Sequence, residues 1–302
     1  MRNKLLFPAF FVPWLQLGKI TIAIPVSLTA FLGYFMVRPV IDAGALWTVS
    51  GVLMLAMASS AVNQIQERTI DRLMKRTRKR PIPAGAITVP QAAVVATLAA
   101  AGGLLLILQT GSWLAVAVGA FTMAWYNLVY TPLKRVTSFA VFPGAVIGAL
   151  PPMIGWSAAG GSLLHPDIVL VSFFLFIGQM PHYWLLMMKV GDEYQEAGLP
   201  VITAIFSPRQ LRNISFTWIV AAAVTVLMFP VAEIIRTNWV GYLLVGLILL
   251  FLLRMFLLSF RGELMKNWKK AFVTVNLFYL LIILLLIADT IIESYLYTRF
   301  IP

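Results

Sequence analysis

Two stretches of the chain carry residue types that do chemistry on phosphates. The first reads Asn63-Gln-Ile-Gln-Glu67-Arg68-Thr-Ile-Asp71-Arg72-Leu-Met-Lys75-Arg76-Thr-Arg78-Lys79-Arg80-Pro81. Asn63, Glu67 and Asp71 recur every four residues, so a helix stacks them on one face. Three hard oxygen donors in that arrangement suit Mg²⁺, which takes carboxylates together with phosphate oxygens and water. Arg72, Lys75, Arg76, Arg78, Lys79 and Arg80 follow at once, placed to hold the remaining charge of a polyphosphate. The second stretch, Lys189-Val-Gly191-Asp192-Glu193-Tyr194-Gln-Glu196, adds a second acidic cluster in Asp192, Glu193 and Glu196. Two such clusters facing one cavity could bind a diphosphate between metal ions. Plainer readings stay open: a juxtamembrane basic segment with incidental salt bridges for the first, a solvated acidic loop for the second. Against the first stands Asn63, because an amide at the mouth of an apolar segment is costly there.

The elements that must position these residues are membrane helices. Of 302 residues, 61% are hydrophobic and only 11% charged, and the mean hydropathy is +0.90. Such a chain cannot keep a water-facing surface. It offers about nine apolar windows of spanning length, near 17–37, 45–65, 88–109, 113–132, 138–158, 167–189, 213–234, 238–260 and 271–294. The runs are continuously apolar, not alternating, which predicts helices and excludes a β-barrel. The expectation is an all-α polytopic membrane protein, one domain over residues 1–302, with a short interfacial lead-in over about 1–16 retained in the mature chain. With the N-terminus inside, only Arg38, Arg236 and Arg299 of the 23 Lys and Arg fall on the outer side, a strong positive-inside bias. The net charge of +12 therefore needs no nucleic acid to explain it. The absence of cysteine excludes a disulfide framework, a thiolate metal site and a catalytic thiol. Both acidic clusters close even-numbered spans on the inner side, which ties them together.

The first stretch resembles the Asn-x-x-x-(Asp/Glu)-x-x-x-Asp signature of the UbiA superfamily of intramembrane prenyltransferases. Further stretches are similar to its heme-prenylating members. They are Met74 through Pro81-Ile-Pro-Ala-Gly85, Tyr130-Thr-Pro-Leu-Lys134-Arg135-Val-Thr137, Gly148-Ala-Leu-Pro151-Pro152-Met-Ile-Gly155-Trp156, and Pro181-His182-Tyr183-Trp184 with Asp192 through Pro200. The likeness runs in register over roughly 15–210, and the last third is similar in hydropathy only. The chain departs from those members at Thr69, where they usually carry an acid, and over Ser138–Gly144, where they usually carry an Asn and a Gly pair.

The resemblance implies a nine-helix prenyltransferase fold and Mg²⁺-dependent transfer of a farnesyl group from farnesyl diphosphate to a vinyl group of protoheme IX, with heme as substrate. Asn63, Glu67, Asp71 and Asp192 would be the catalytic metal-holding residues, with Glu193 as a further ligand. Arg72, Lys75, Arg78, Lys134, Arg135 and Lys189 would hold the diphosphate. The implied setting is a bacterial inner membrane with a cytoplasmic N-terminus, and the implied partner a downstream heme-modifying membrane enzyme. His182, Tyr130 and Tyr194 are candidates for the acceptor. An interior hydrogen-bonded histidine and interfacial aromatic belts explain them equally well. Prenylation of an aromatic quinone precursor such as 4-hydroxybenzoate is the alternative reaction. A non-enzymatic transporter is disfavoured, because transporter sites sit near the midplane. Asn276 and Asp289, polar in the last span, read only as inter-helix bonding groups.

Overall fold

A computed structural model describes residues 11–261 and 264–300. An interfacial turn of helix, α1 (Val12–Leu17), precedes nine long helices: α2 (Ile20–Val37), α3 (Ala43–Leu73), α4 (Val89–Leu108), α5 (Trp113–Ala124), α6 (Val141–Ala158), α7 (Pro166–Glu196), α8 (Pro208–Val231), α9 (Asn238–Phe256) and α10 (Leu264–Phe300). A π-helical stretch, Trp125–Tyr130, and the short helix Thr131–Leu133 prolong α5. Among the described residues nine helices are long and apolar enough to cross a membrane, so the chain is a multi-pass membrane protein. Of the lead-in, residues 1–10 lie outside the described part.

Local chemistry sets where the helices start. Asp42 caps α3 by accepting from the Ala45 amide, and the Tyr34 hydroxyl donates to it at 2.8 Å. Thr88 with Gln91, and Ser207 with Gln210, form reciprocal capping boxes at the heads of α4 and α8. Thr237 does not cap α9 with its own side chain. Instead Asp289, reaching across from α10, accepts from the amides of Arg236 at 2.9 Å and Thr237 at 3.1 Å. That is the work of one of the two polar residues of the last span. Asp289→Ala strands two amides at a buried position, and is expected to destabilise the bundle by about 1–3 kcal/mol, read as a lowered melting temperature in detergent.

Two close crossings hold the N-terminal half together. A Cβ on Gly51 would press within 2.8 Å of the Gly103 carbonyl oxygen, and one on Gly103 would meet the Gly51 oxygen at 2.8 Å. Gly33 likewise faces the Pro152 carbonyl and Gly155 the Ala30 carbonyl. Small residues let backbones approach where lipid offers no hydrophobic drive to pack. The C-terminal half packs by large side chains: Phe174, Phe229, Phe251 and Phe278 are buried in one apolar cluster spanning α7 to α10.

The expected windows 45–65 and 167–189 prove too short. α3 and α7 are 31 residues each, continuing past their apolar runs without a break. The acidic residues therefore stand on rigid helix extensions, not on loops.

Candidate active site

The α3 extension delivers the predicted face intact. Asn63 is 1% exposed, Glu67 6% and Asp71 0%. Thr69 is exposed, about 200° around the helix from Glu67 and Asp71 at ~100° per residue, so an acid there would not join their face.

Each of the three carries a basic partner. Lys134 Nζ lies 2.6 Å from Glu67 Oε1. Arg80 Nη1 donates to both oxygens of Asp71, at 2.8 and 2.7 Å. Lys19 Nζ donates to Asn63 Oδ1 at 3.0 Å. Buried ion pairs do not repay their desolvation by attraction alone, so two of them beside a buried lysine–amide bond on one face point to a function. The Asn63 amide donates to Thr131 Oγ1 at 3.2 Å, and Thr131 in turn donates to the Tyr126 carbonyl at 2.9 Å. That second bond spans five residues, the spacing of the π-helical stretch. The π-turn thus rotates Thr131 and Lys134 toward α3, a use typical of π-bulges at functional sites.

Lys19 holds a left-handed backbone, φ 48° and ψ 52°, between α1 and α2. A non-glycine residue there is strained, and such strain gathers at functional sites. Burial, then the nearby Arg80 and Lys134 charges, push its amine down to about 7. Lys19→Gly separates the two roles of the residue. Glycine accepts this conformation freely, so the variant is expected to melt no lower than the parent while binding diphosphate at least tenfold more weakly, measured by calorimetric titration with Mg²⁺-diphosphate.

The other predicted residues divide. The α7 extension brings Glu193 against the turn that follows α3, where its Oε2 accepts from the Arg76 amide at 3.2 Å, while Asp192 is exposed. Arg72, Lys75 and Arg78 are exposed beside the cluster. Arg135 is also exposed and donates to the Gln66 carbonyl at 2.7 Å. Lys189 lies over the Trp268 ring at 5.2 Å. Tyr130 stacks obliquely on Tyr126 at 5.6 Å, beneath the Lys134 ammonium. In the divergent segment, Gly144 leaves room for the Tyr130 ring, since a Cβ would lie 2.7 Å from Tyr130 Cε2. His182 Nδ1 sits 3.0 Å from Asn276 Oδ1. Lys19 and Arg80 were not singled out from sequence: Lys19 reads as one more inner-side base, and Arg80 as one of six in a run.

From Lys19 and Tyr126 a cavity of about 140 Å³ descends between α2, α3, α5 and α6, walled by Val26, Val52 and Ile154. Its mouth carries the Lys19 amine and its walls are apolar. Among the described residues no group of three or more His, Cys, Asp or Glu stands close enough to hold a metal. The all-oxygen donors instead fit Mg²⁺ in its common form, shared between one or two carboxylates and substrate phosphates.

Known proteins place this arrangement. A relative from Geobacter sulfurreducens, a protoheme IX farnesyltransferase, is 41% identical over 208 residues, 68% of this chain and 75% of that one. The protoheme IX farnesyltransferase of Oleidesulfovibrio alaskensis is 33% identical over 279 residues, 92% of this chain and 96% of that one. In fold, the chain is similar to a digeranylgeranylglyceryl phosphate synthase, with a TM-score of 0.75 at 16% identity over 94% of this chain and 99% of that one. It is also similar to a UbiA homologue from Archaeoglobus fulgidus bound to GPP and Mg²⁺, with a TM-score of 0.71 at 17% identity over 92% and 98%. The model of the UbiA prenyltransferase family matches residues 26–288. With that span covering the buried acidic face of α3, the apolar cavity walls and both helix extensions, the chain belongs to the UbiA prenyltransferase family and is a prenyltransferase.

Proposed function

We propose that the chain transfers a farnesyl group from farnesyl diphosphate to a vinyl carbon of protoheme IX, using Mg²⁺, at the base-rich end of the bundle. One observation carries the reading: buried oxygen donors are each matched to a base, and one of those bases, Lys19, lines an apolar cavity. The full-length similarity to protoheme IX farnesyltransferases supports the choice of acceptor. The charge bias supports a cytoplasmic N-terminus in a bacterial inner membrane.

In the reaction, the farnesyl C1–O bond to diphosphate breaks and C1 bonds to the terminal vinyl carbon. Water adds to the neighbouring carbon and loses a proton, so the products are a hydroxyethylfarnesyl heme, diphosphate and H⁺. Asn63 with one or two of the carboxylates Glu67, Asp71 and Glu193 would hold Mg²⁺ together with the phosphate oxygens, and the ion would supply positive charge to the leaving diphosphate. Asp192, exposed and immediately before Glu193 on α7, would join from the same turn. Were Glu67, Asp71 and Asn63 to hold the ion, their partners Lys134, Arg80 and Lys19 would be left to donate to the phosphate oxygens. These donors are fixed in place before charge develops on the leaving group, which is how electrostatic stabilisation acts most strongly. Exposed Arg72, Lys75, Arg78 and Arg135 add to the field that draws the anion in. A cavity of 140 Å³ is close to the ~150 Å³ that accepts a benzene, so it takes the first part of the prenyl chain. Its dry walls keep water from the allylic cation.

The test is competition between acceptors. Purified protein given farnesyl diphosphate and Mg²⁺ with equal protoheme and 4-hydroxybenzoate is expected to prenylate protoheme. Prenylated 4-hydroxybenzoate in its place would retain the phosphate chemistry and reject the acceptor.

A further inference from the structure

We infer that His182 binds the iron of the porphyrin acceptor through Nε2, and that Asn276 is the positioning residue that prepares it to do so. The inference rests on the proposed acceptor and adds how the site holds it. Asn276 Nδ2 donates to the Phe272 carbonyl one turn earlier, at 2.7 Å. That bond fixes the amide so that Oδ1 faces His182 at 3.0 Å. A carbonyl oxygen only accepts, so the proton of a neutral imidazole must sit on Nδ1. Nε2 then keeps its lone pair.

The ring is also held in place. The Phe272 ring packs on it with centroids 4.8 Å apart, so α10 sets its orientation through two independent contacts. Nothing among the described residues hydrogen-bonds Nε2. It is not sealed in either: Trp184 Nε1 and the Tyr279 hydroxyl, on the same two helices, are buried and unpartnered, and His182 Nε2 is not among such atoms. The lone pair therefore keeps some exposure, in keeping with a His182 that is only half-buried. An imidazole whose far N–H is anchored to a carbonyl is the usual form of a metal-binding histidine, because the anchor fixes the tautomer and raises ligand basicity. Imidazole nitrogen suits iron, and the proposed acceptor brings iron with it. Two turns further along α7, about 10 Å at 1.5 Å per residue, Lys189 stands exposed over Trp268. It offers a cation for the carboxylate edge of a porphyrin at the base-rich end of the same α7–α10 seam.

The experiment titrates full-length protein in detergent with protoheme and, separately, with metal-free protoporphyrin IX, without farnesyl diphosphate. The parent is expected to give the Soret band and iron–nitrogen stretch of an imidazole-ligated heme. His182→Gly should lose both and bind protoheme at least tenfold more weakly, and added imidazole should restore the band, showing that the variant is folded. Asn276→Leu should weaken protoheme binding on the order of tenfold and lower the iron–nitrogen stretch. Neither variant should change the affinity for metal-free protoporphyrin. An unchanged spectrum in His182→Gly, or an equal loss for the metal-free ring, would overturn the assignment. If the parent still farnesylates protoheme in that case, the proposed reaction stands and the iron ligand alone falls. A parent that binds no protoheme loses both.

Discussion

Asp71→Asn is expected to slow prenyl transfer on the order of 10²–10³-fold while leaving the bundle folded. The substitution keeps an oxygen for Arg80, which now bridges both carboxylate atoms, and keeps the backbone carbonyl that Thr77 bonds at 3.0 Å. What it removes is one negative charge at a position that is 0% exposed. Without it, Mg²⁺ would have one carboxylate fewer on α3, and Arg80 would be held by a single neutral oxygen in the absence of substrate. Diphosphate alone should then bind no more weakly than to the parent, whereas Mg²⁺-diphosphate should bind much more weakly. Turnover by mass spectrometry, beside a melting curve, checks this. A variant within threefold of the parent would remove Asp71 from the chemistry.

The largest structural loss is expected at Gly155. A Cβ there runs into the Ala30 carbonyl oxygen and lies 2.8 Å from the Tyr34 amide nitrogen. Both obstacles are backbone, so no side chain can swing aside. Gly155→Leu must part α2 from α6, and with them the cavity wall formed by Val26 and Ile154. Overpacking of this kind costs about 3 kcal/mol or more. It should appear as loss of monodisperse protein in detergent and a sharply lowered melting temperature. Gly246 is the control: its added Cβ meets nothing within 4 Å, so Gly246→Ala should behave as the parent does.

The sequence revealed what depends on periodicity and composition. Continuous apolar runs located every span, and a four-residue spacing put Asn63, Glu67 and Asp71 on one face, because both are properties of a single helix. What needed the folded chain were the pairings between helices. Nothing local distinguishes Arg80 from the five bases before it; the turn through Met74–Thr77 and the bond from Thr77 to the Asp71 carbonyl decide that it folds back. Lys19 looks like any base that opens a span until its left-handed backbone is seen aiming it at Asn63. Glu193 accepts from the Arg76 amide because the long α7 fixes the rotation of its last turn, and a loop would have left that choice open. Asn276 and Asp289 gain roles only from His182 and the α9 amides across the bundle. The π-turn that brings Lys134 to Glu67 has no signature in residue type.

The most direct test of the account follows both products of one reaction. Purified protein is mixed with farnesyl diphosphate, protoheme and Mg²⁺, and diphosphate and hydroxyethylfarnesyl heme are measured over a single turnover. The account predicts equal amounts of the two, both lost when Mg²⁺ is chelated and both lost in Asp71→Asn. Diphosphate released without a matching heme product would contradict it, as would a heme product that forms undiminished without the metal.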